Sequence, residues 1–172
     1  MGIFGKILDA GNIVLARQLG LVPRRLPILY LMLTDTCNLN CPMCGACGYG
    51  PGSGTSLKTA DWKKVIDSAV RLDTMILSLT GGEVFLRDDI FELADYASAR
   101  DLAVHIITNG TLLDEAKTRE LALSNIAAIS VSLESPKAEV HDAIRGEGTH
   151  EKVISGIKLL TKYAPGINLN IN

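Results

Sequence analysis

Aromatic residues are scarce, at 5% of 172 residues with a single Trp, too few for the stacking platforms that hold single-stranded nucleic acid. A formal net charge of −2 removes the other attraction, since phosphate backbones are held by surplus Lys and Arg. No apolar run has the length of a bilayer span; the longest, LPILYLML at 26–33, is the size of a buried strand. Residues 1–20 lack the unbroken apolar centre of a signal peptide, because Asp9, Asn12 and Arg17 interrupt it. Gly2 is no acylation signal either: Lys6 stands where that motif needs Ser or Thr. No internal repeat or low-complexity linker is present, and no cysteine lies outside 37–47. Disulfide frameworks spread their cysteines along a secreted chain, so this confinement predicts a reduced compartment, the cytoplasm, and metal binding.

What is present suits one soluble domain with enough chain to bury a core: 47% hydrophobic and 21% charged residues. From residue 28 apolar runs alternate with amphipathic ones. Strands are predicted at 28–34, 75–80, 103–109, 128–134 and 167–172, apolar without strict alternation, as for strands covered on both faces. Helical spacing marks 59–72, where Trp62, Val65, Ile66, Ala69 and Val70 share a face, then 88–100 with Asp88 as N-cap, 114–123, and 150–163 with Thr149 as cap. Residues 1–26 are read as a helical leader, with Ile3, Phe4, Ile7, Leu8, Leu15 and Leu19 on one face lying over an end of the sheet. The order predicts an α/β fold with a parallel sheet, open or curved toward a barrel. The fifth strand runs to Asn172 with nothing after it to cover it, which suggests a longer protein or a partner.

Ligands of parallel α/β folds sit at the carboxyl ends of strands. Four unusual turns fall there: TDTCNLNCPMCGACGYG (34–50) after the first strand, TGGE (80–83) after the second, TNG (108–110) after the third and SLES (132–135) after the fourth. Cys37, Cys41 and Cys44 read as C-x3-C-x2-C, and Cys47 adds another x2. Three thiolates in one loop could hold a [4Fe–4S] cluster with one iron open; a fourth could close it. A structural zinc site would normally pair two separated C-x2-C units. Gly81 and Gly82 permit close backbone approach, Glu83 could receive an ammonium group, and Asn109, Ser132 and Glu134 offer polar tips. Arg145 could pair with a carboxylate. The plain alternatives are turn glycines, a helix-start carboxylate at Glu83 and a surface ion pair at Arg145. His105 is read as packed in a strand, and His141 and His150 as surface residues at helix edges.

The three cysteines, GGE and TNG in this order, with LTDTCNLNCPMCG, SVSLES and HDAIRGEGTHEKVISGIKLL, resemble the radical S-adenosylmethionine superfamily from about Pro27 onward. Its molybdopterin-synthesis and peptide-modifying (SPASM-type) branch is the nearest in wording. The resemblance implies a partial radical SAM barrel over 27–172, with a sixth strand and any further C-terminal domain absent. It implies that Cys37, Cys41 and Cys44 ligate a [4Fe–4S] cluster whose open iron chelates S-adenosylmethionine. Gly81, Gly82 and Glu83 match the motif meeting the cofactor's amino group, Ser132 a polar contact at the fourth strand, and Arg145 the partner of its carboxylate. Asn109 belongs to a rim motif, and Met43 takes the place of an apolar residue near the adenine. The implied reaction is reductive cleavage to methionine and a 5′-deoxyadenosyl radical, which removes hydrogen from a peptide or small-molecule substrate. A reductase, flavodoxin or ferredoxin-like donor would supply the electron. Val84 departs from the proline common after this glycine motif, and Cys47 is additional. A closed-cluster electron carrier using Cys47, or a non-catalytic cofactor-binding fragment, are the alternatives.

Overall fold

The computed structural model describes residues 15, 18–20, 26–45 and 57–172. Most of the proposed leader over 1–26, and Cys47, lie outside the described residues. Five parallel strands, β1 (Ile28–Met32), β2 (Ile76–Thr80), β3 (Ala103–Thr108), β4 (Ile126–Val131) and β5 (Asn168–Ile171), pair in chain order. The crossovers carry α1 (Thr59–Arg71), α2 (Ile90–Ser98), α3 (Glu115–Leu123), α4 (Ala138–Arg145) and α5 (Thr149–Tyr163). The result is an open, partial barrel. One core joins the helix-facing residues of the strands, Leu31, Leu77, Leu79, Val104, Ile106 and Ile129, to Trp62 and Ile66 of α1 and Leu93 of α2. Side chains alternate between the faces of a strand, so Tyr30, Ser78, His105 and Ser130 fall on the inner face.

That inner face departs from the expectation of strands buried on both sides. Tyr30 and Met32 are about 60% exposed there. His105 is half-buried rather than packed among apolar groups: its ring spans Ser78 Oγ at 3.2 Å and Ser130 Oγ at 2.8 Å. Burial pushes its pKa down, as desolvation does for any imidazolium.

Helix boundaries differ in instructive ways. The N-cap of α2 is Asp89, not Asp88; its carboxylate accepts from Arg87 and Thr59 instead of capping. Gly148, in the left-handed region, precedes α5, and Thr149 is its first helical residue. The α3 cap is conventional, with Asp114 accepting from Lys117 N–H at 2.7 Å. Helix α4 was not predicted, and it overturns the surface assignment of His141, which is fully buried. His150 is half-buried and bonds Pro136 O at 3.1 Å.

Candidate functional site

The cysteine loop is held at its root by backbone. Leu33 N–H donates to Thr80 O at 2.8 Å, and the chain then leaves the sheet at Thr34, whose hydroxyl accepts from Thr36 N–H. The turn after β2 returns onto this root. Gly82 N–H donates to Thr34 O at 2.7 Å and Glu83 N–H to Thr36 O at 2.8 Å. A Cβ on Gly81 would stand 2.4 Å from Thr34 O, and one on Gly82 2.2 Å from Thr36 O. No side chain survives such distances, so both glycines are required by the stitch between the two loops, whatever else they touch. Arg87 adds a third tie, donating to Leu33 O at 3.0 Å while its guanidinium pairs with Asp89.

Glu83 is wholly buried. Its Oε1 accepts from Phe85 N–H at 3.1 Å and from the Thr108 hydroxyl at 2.8 Å; Oε2 accepts from Asn109 N–H at 2.8 Å. The carboxylate therefore braces the ends of β2 and β3 rather than lining the open space. Burial raises its pKa, and the bonds from Asn109, Phe85 and Thr108 offset this only in part.

Cys37 and Cys44 are exposed and Cys41 is buried. Cys44 N–H donates to Cys41 O in a tight turn, and Leu39 N–H reaches Cys37 Sγ at 3.4 Å. Cys41 Sγ lies 3.8 Å from Arg145 O, which joins the loop to the end of α4. Burial pushes the Cys41 thiol up; the Arg145 guanidinium opposes this, and Cys37 and Cys44 add to it. Among the described residues no three His, Cys, Asp or Glu side chains converge as a single metal ion requires. A cubane asks something else, one thiolate at each of three separate irons. Three soft sulfur donors on one turn, Cys37, Cys41 and Cys44, fit such a group by ligand chemistry.

Arg145 was expected to meet a carboxylate, and it already faces one. Its Nε and Nη2 both donate to Glu134 Oε1, at 2.9 and 2.5 Å. Behind this pair, Glu134 N–H donates to His141 Nδ1 at 3.2 Å, and Asp142 accepts from Gly148 N–H, Thr149 Oγ–H and His150 N–H. The buried His141 ring, whose pKa desolvation lowers, accepts from Glu134 N–H and thus anchors the loop that carries Glu134.

A cavity of about 530 Å³ opens on this rim. Cys37, Cys41, Met43, Cys44, Gly81, Gly82, Asn109, Ser132 and Arg145 all line it, with Thr80 and Ile107 from the inner sheet face. Of the rim residues singled out from sequence, Glu83 and Glu134 do not: the first is buried behind the turn and the second is paired with Arg145. Sequence reasoning gave no task to Asn38, Thr108 or Thr111, and it put His141 at the surface. The two threonines flank the asparagine and glycine of TNG, a signal that was available.

The partial barrel and a rim with three cysteines facing a glycine turn define the architecture of a radical SAM protein. The sequence profile of the radical SAM superfamily matches residues 31–171, and the chain belongs to that superfamily. It is 37% identical over 131 residues to the AdoMet-dependent heme synthase of Methanosarcina barkeri, covering 76% of this chain and 38% of that protein. It is 33% identical over 129 residues to the mycofactocin maturase MftC of Mycolicibacterium smegmatis, 75% of this chain and 33% of the maturase. The chain thus spans between a third and two-fifths of these relatives. The crystal structure of Streptococcus suis SuiB bound to S-adenosylmethionine superposes with a TM-score of 0.77 at 18% identity, over 95% of this chain and 37% of SuiB. SuiB has also been crystallised with its precursor peptide SuiA. Among the described residues no helix is long and apolar enough to cross a membrane.

Proposed function

We propose that this chain holds a [4Fe–4S] cluster through Cys37, Cys41 and Cys44, binds S-adenosylmethionine in the adjoining cavity, and works as the radical-generating part of a peptide-modifying enzyme. One observation carries the reading: residues from the ends of four different strands line a single cavity beside the three thiols. When bound, the cluster and S-adenosylmethionine supply one-electron cleavage of a sulfonium carbon–sulfur bond and hydrogen removal from a substrate.

The chain's own residues bind and orient. The cavity-lining glycines Gly81 and Gly82 offer backbone groups to the cofactor's ammonium, while Glu83 keeps that turn in register with β3. Arg145 has N–H groups beside the cavity for a carboxylate, which would share it with or displace it from Glu134. Ser132 offers a hydroxyl at the end of β4, and Met43, more than half exposed, an adaptable apolar surface for an adenine. The maturase relative and the SuiB–peptide complex support a peptide substrate, which the exposed inner face with Tyr30 and Met32 would approach. A flavodoxin or ferredoxin-like donor would deliver the electron.

Electron paramagnetic resonance of anaerobically reconstituted, dithionite-reduced protein tests this. A [4Fe–4S]⁺ signal that changes on adding S-adenosylmethionine, and that persists in Cys47→Ala, is the expected result. A signal indifferent to the cofactor and lost in Cys47→Ala means a closed electron-carrier cluster. Stoichiometric zinc without an iron–sulfur signal overturns the proposal.

A further inference from the structure

Asn109, Thr111 and Asn38 form a closed ring of hydrogen bonds beside Cys37. Asn109 Nδ2 donates to Asn38 Oδ1 at 2.9 Å, Asn38 Nδ2 donates to Thr111 Oγ1 at 2.8 Å, and Thr111 Oγ1 donates back to Asn109 Oδ1 at 2.7 Å. Thr111 N–H also donates to Asn109 Oδ1, at 2.9 Å.

The ring removes the ambiguity that amide groups usually carry. Flipping the Asn109 amide would set its NH2 against the Thr111 backbone N–H, a donor that cannot turn into an acceptor. Its orientation is therefore dictated, and Nδ2 donates its second hydrogen toward Cys37 Sγ, with the nitrogen 3.7 Å from the sulfur. Asn109 itself is buried, and its backbone N–H is fixed by Glu83 Oε2. Together with Leu39 N–H, Cys37 Sγ then receives two N–H groups, both supplied without help from any ligand.

We propose that Asn38 and Thr111 are positioning residues that lock Asn109 as an N–H donor to Cys37, and that this donor raises the reduction potential of the cluster Cys37 ligates. The inference rests on the cluster assignment above and gives Asn109 a task other than contact with S-adenosylmethionine. Physically, an N–H dipole aimed at a ligating sulfur stabilises the more negative, reduced cluster.

The test is an EPR-monitored redox titration of reconstituted parent, Thr111→Val, Thr111→Ser and Asn109→Ala, with iron per chain and melting temperature measured on each. Thr111→Val keeps the shape and the backbone N–H but opens the ring. It should lower the midpoint relative to the parent, and Asn109→Ala should lower it further, toward a tenfold change in the reduced-to-oxidised ratio, about 59 mV for one electron. Thr111→Ser restores the ring hydroxyl and should return the parental midpoint, which a purely steric role of the threonine methyl would not do. Equal midpoints in parent, Thr111→Val and Asn109→Ala, all with a full cluster, overturn this inference alone. A parent that takes up no cluster overturns the proposed function, and the potential claim with it. Should Asn109→Ala fail to fold, the Thr111 pair decides the matter.

Discussion

Replacing Glu83 separates a cofactor ligand from a brace. In Glu83→Ala, Phe85 N–H, Asn109 N–H and the Thr108 hydroxyl lose their acceptor within the core. Each buried donor left unsatisfied costs about 1–3 kcal/mol, while deleting the carboxylate relieves its own desolvation. Taking the low end for each donor gives a loss of about 3 kcal/mol, or about 6–12 °C in melting temperature for a chain of this size. Glu83→Gln keeps one oxygen for Phe85 and Thr108 but turns an NH2 toward Asn109 N–H, so it loses one bond, about 1 kcal/mol or about 2–4 °C. The pH dependence has a definite sign. Burial raises the Glu83 pKa above its ordinary 4.5, so the folded state binds more protons than the unfolded one above that pH. The stability contributed is greatest below pH 4.5 and is lost as pH rises through the raised folded value. The parent's margin over Glu83→Gln should therefore shrink with rising pH in that window. Differential scanning calorimetry of the apo forms across pH 4–8 reads all of this. A Glu83→Ala melting temperature equal to the parent's, together with weaker S-adenosylmethionine binding, refutes the brace; a margin that grows with pH refutes the dominance of burial.

Gly82→Ala puts a methyl 2.2 Å from Thr36 O, and since the obstacle is backbone the cysteine loop must move; the expected loss is about 3 kcal/mol, with reduced iron per chain after reconstitution. His141 should give the opposite pH slope to Glu83. Burial lowers its pKa, so stability is full above the ordinary value of about 6.5 and falls as pH drops through and below it; His141→Leu should flatten that fall in urea melts at pH 5 and 7.

Much of the architecture was legible because its signals are periodic. α1 and α2 each present an apolar stripe, and the chemically unusual turns follow strands, where parallel folds place ligands. Helix α4 is only two turns long, Val140 is exposed, and the residue it buries is His141, so its apolar stripe is short and centres on a histidine that the sequence reading put at the surface. The inner strand face was misjudged for a related reason: Ile28, Tyr30 and Met32 are as apolar as their helix-facing neighbours, and composition does not say which face has a partner. The bracing partners of Glu83 lay beyond local sequence reasoning, since two of its donors come from residues 25 and 26 positions later.

The rim motifs are therefore coupled to one another before any ligand is considered. Gly82 and Glu83 stitch the GGE turn to the cysteine loop by backbone bonds, the Glu83 side chain fixes the backbone of Asn109, and the Asn109 side chain returns to Cys37. A helix closes the other side, where Gly156 of α5 meets Leu113 and Gly110 O so closely that a Cβ would stand 2.8 and 3.0 Å from them. Preorganisation of this kind matters most for a ligand set carried on a loop, because a loop alone pays the ordering entropy at the moment of binding. Three exposed or half-anchored thiols on a free turn would bind a cluster weakly. Tied at Thr34, Thr36 and Cys37, the same turn carries part of its order in the folded chain itself. The coupling also explains why a substitution in GGE or TNG that never touches S-adenosylmethionine should still register at the cysteines.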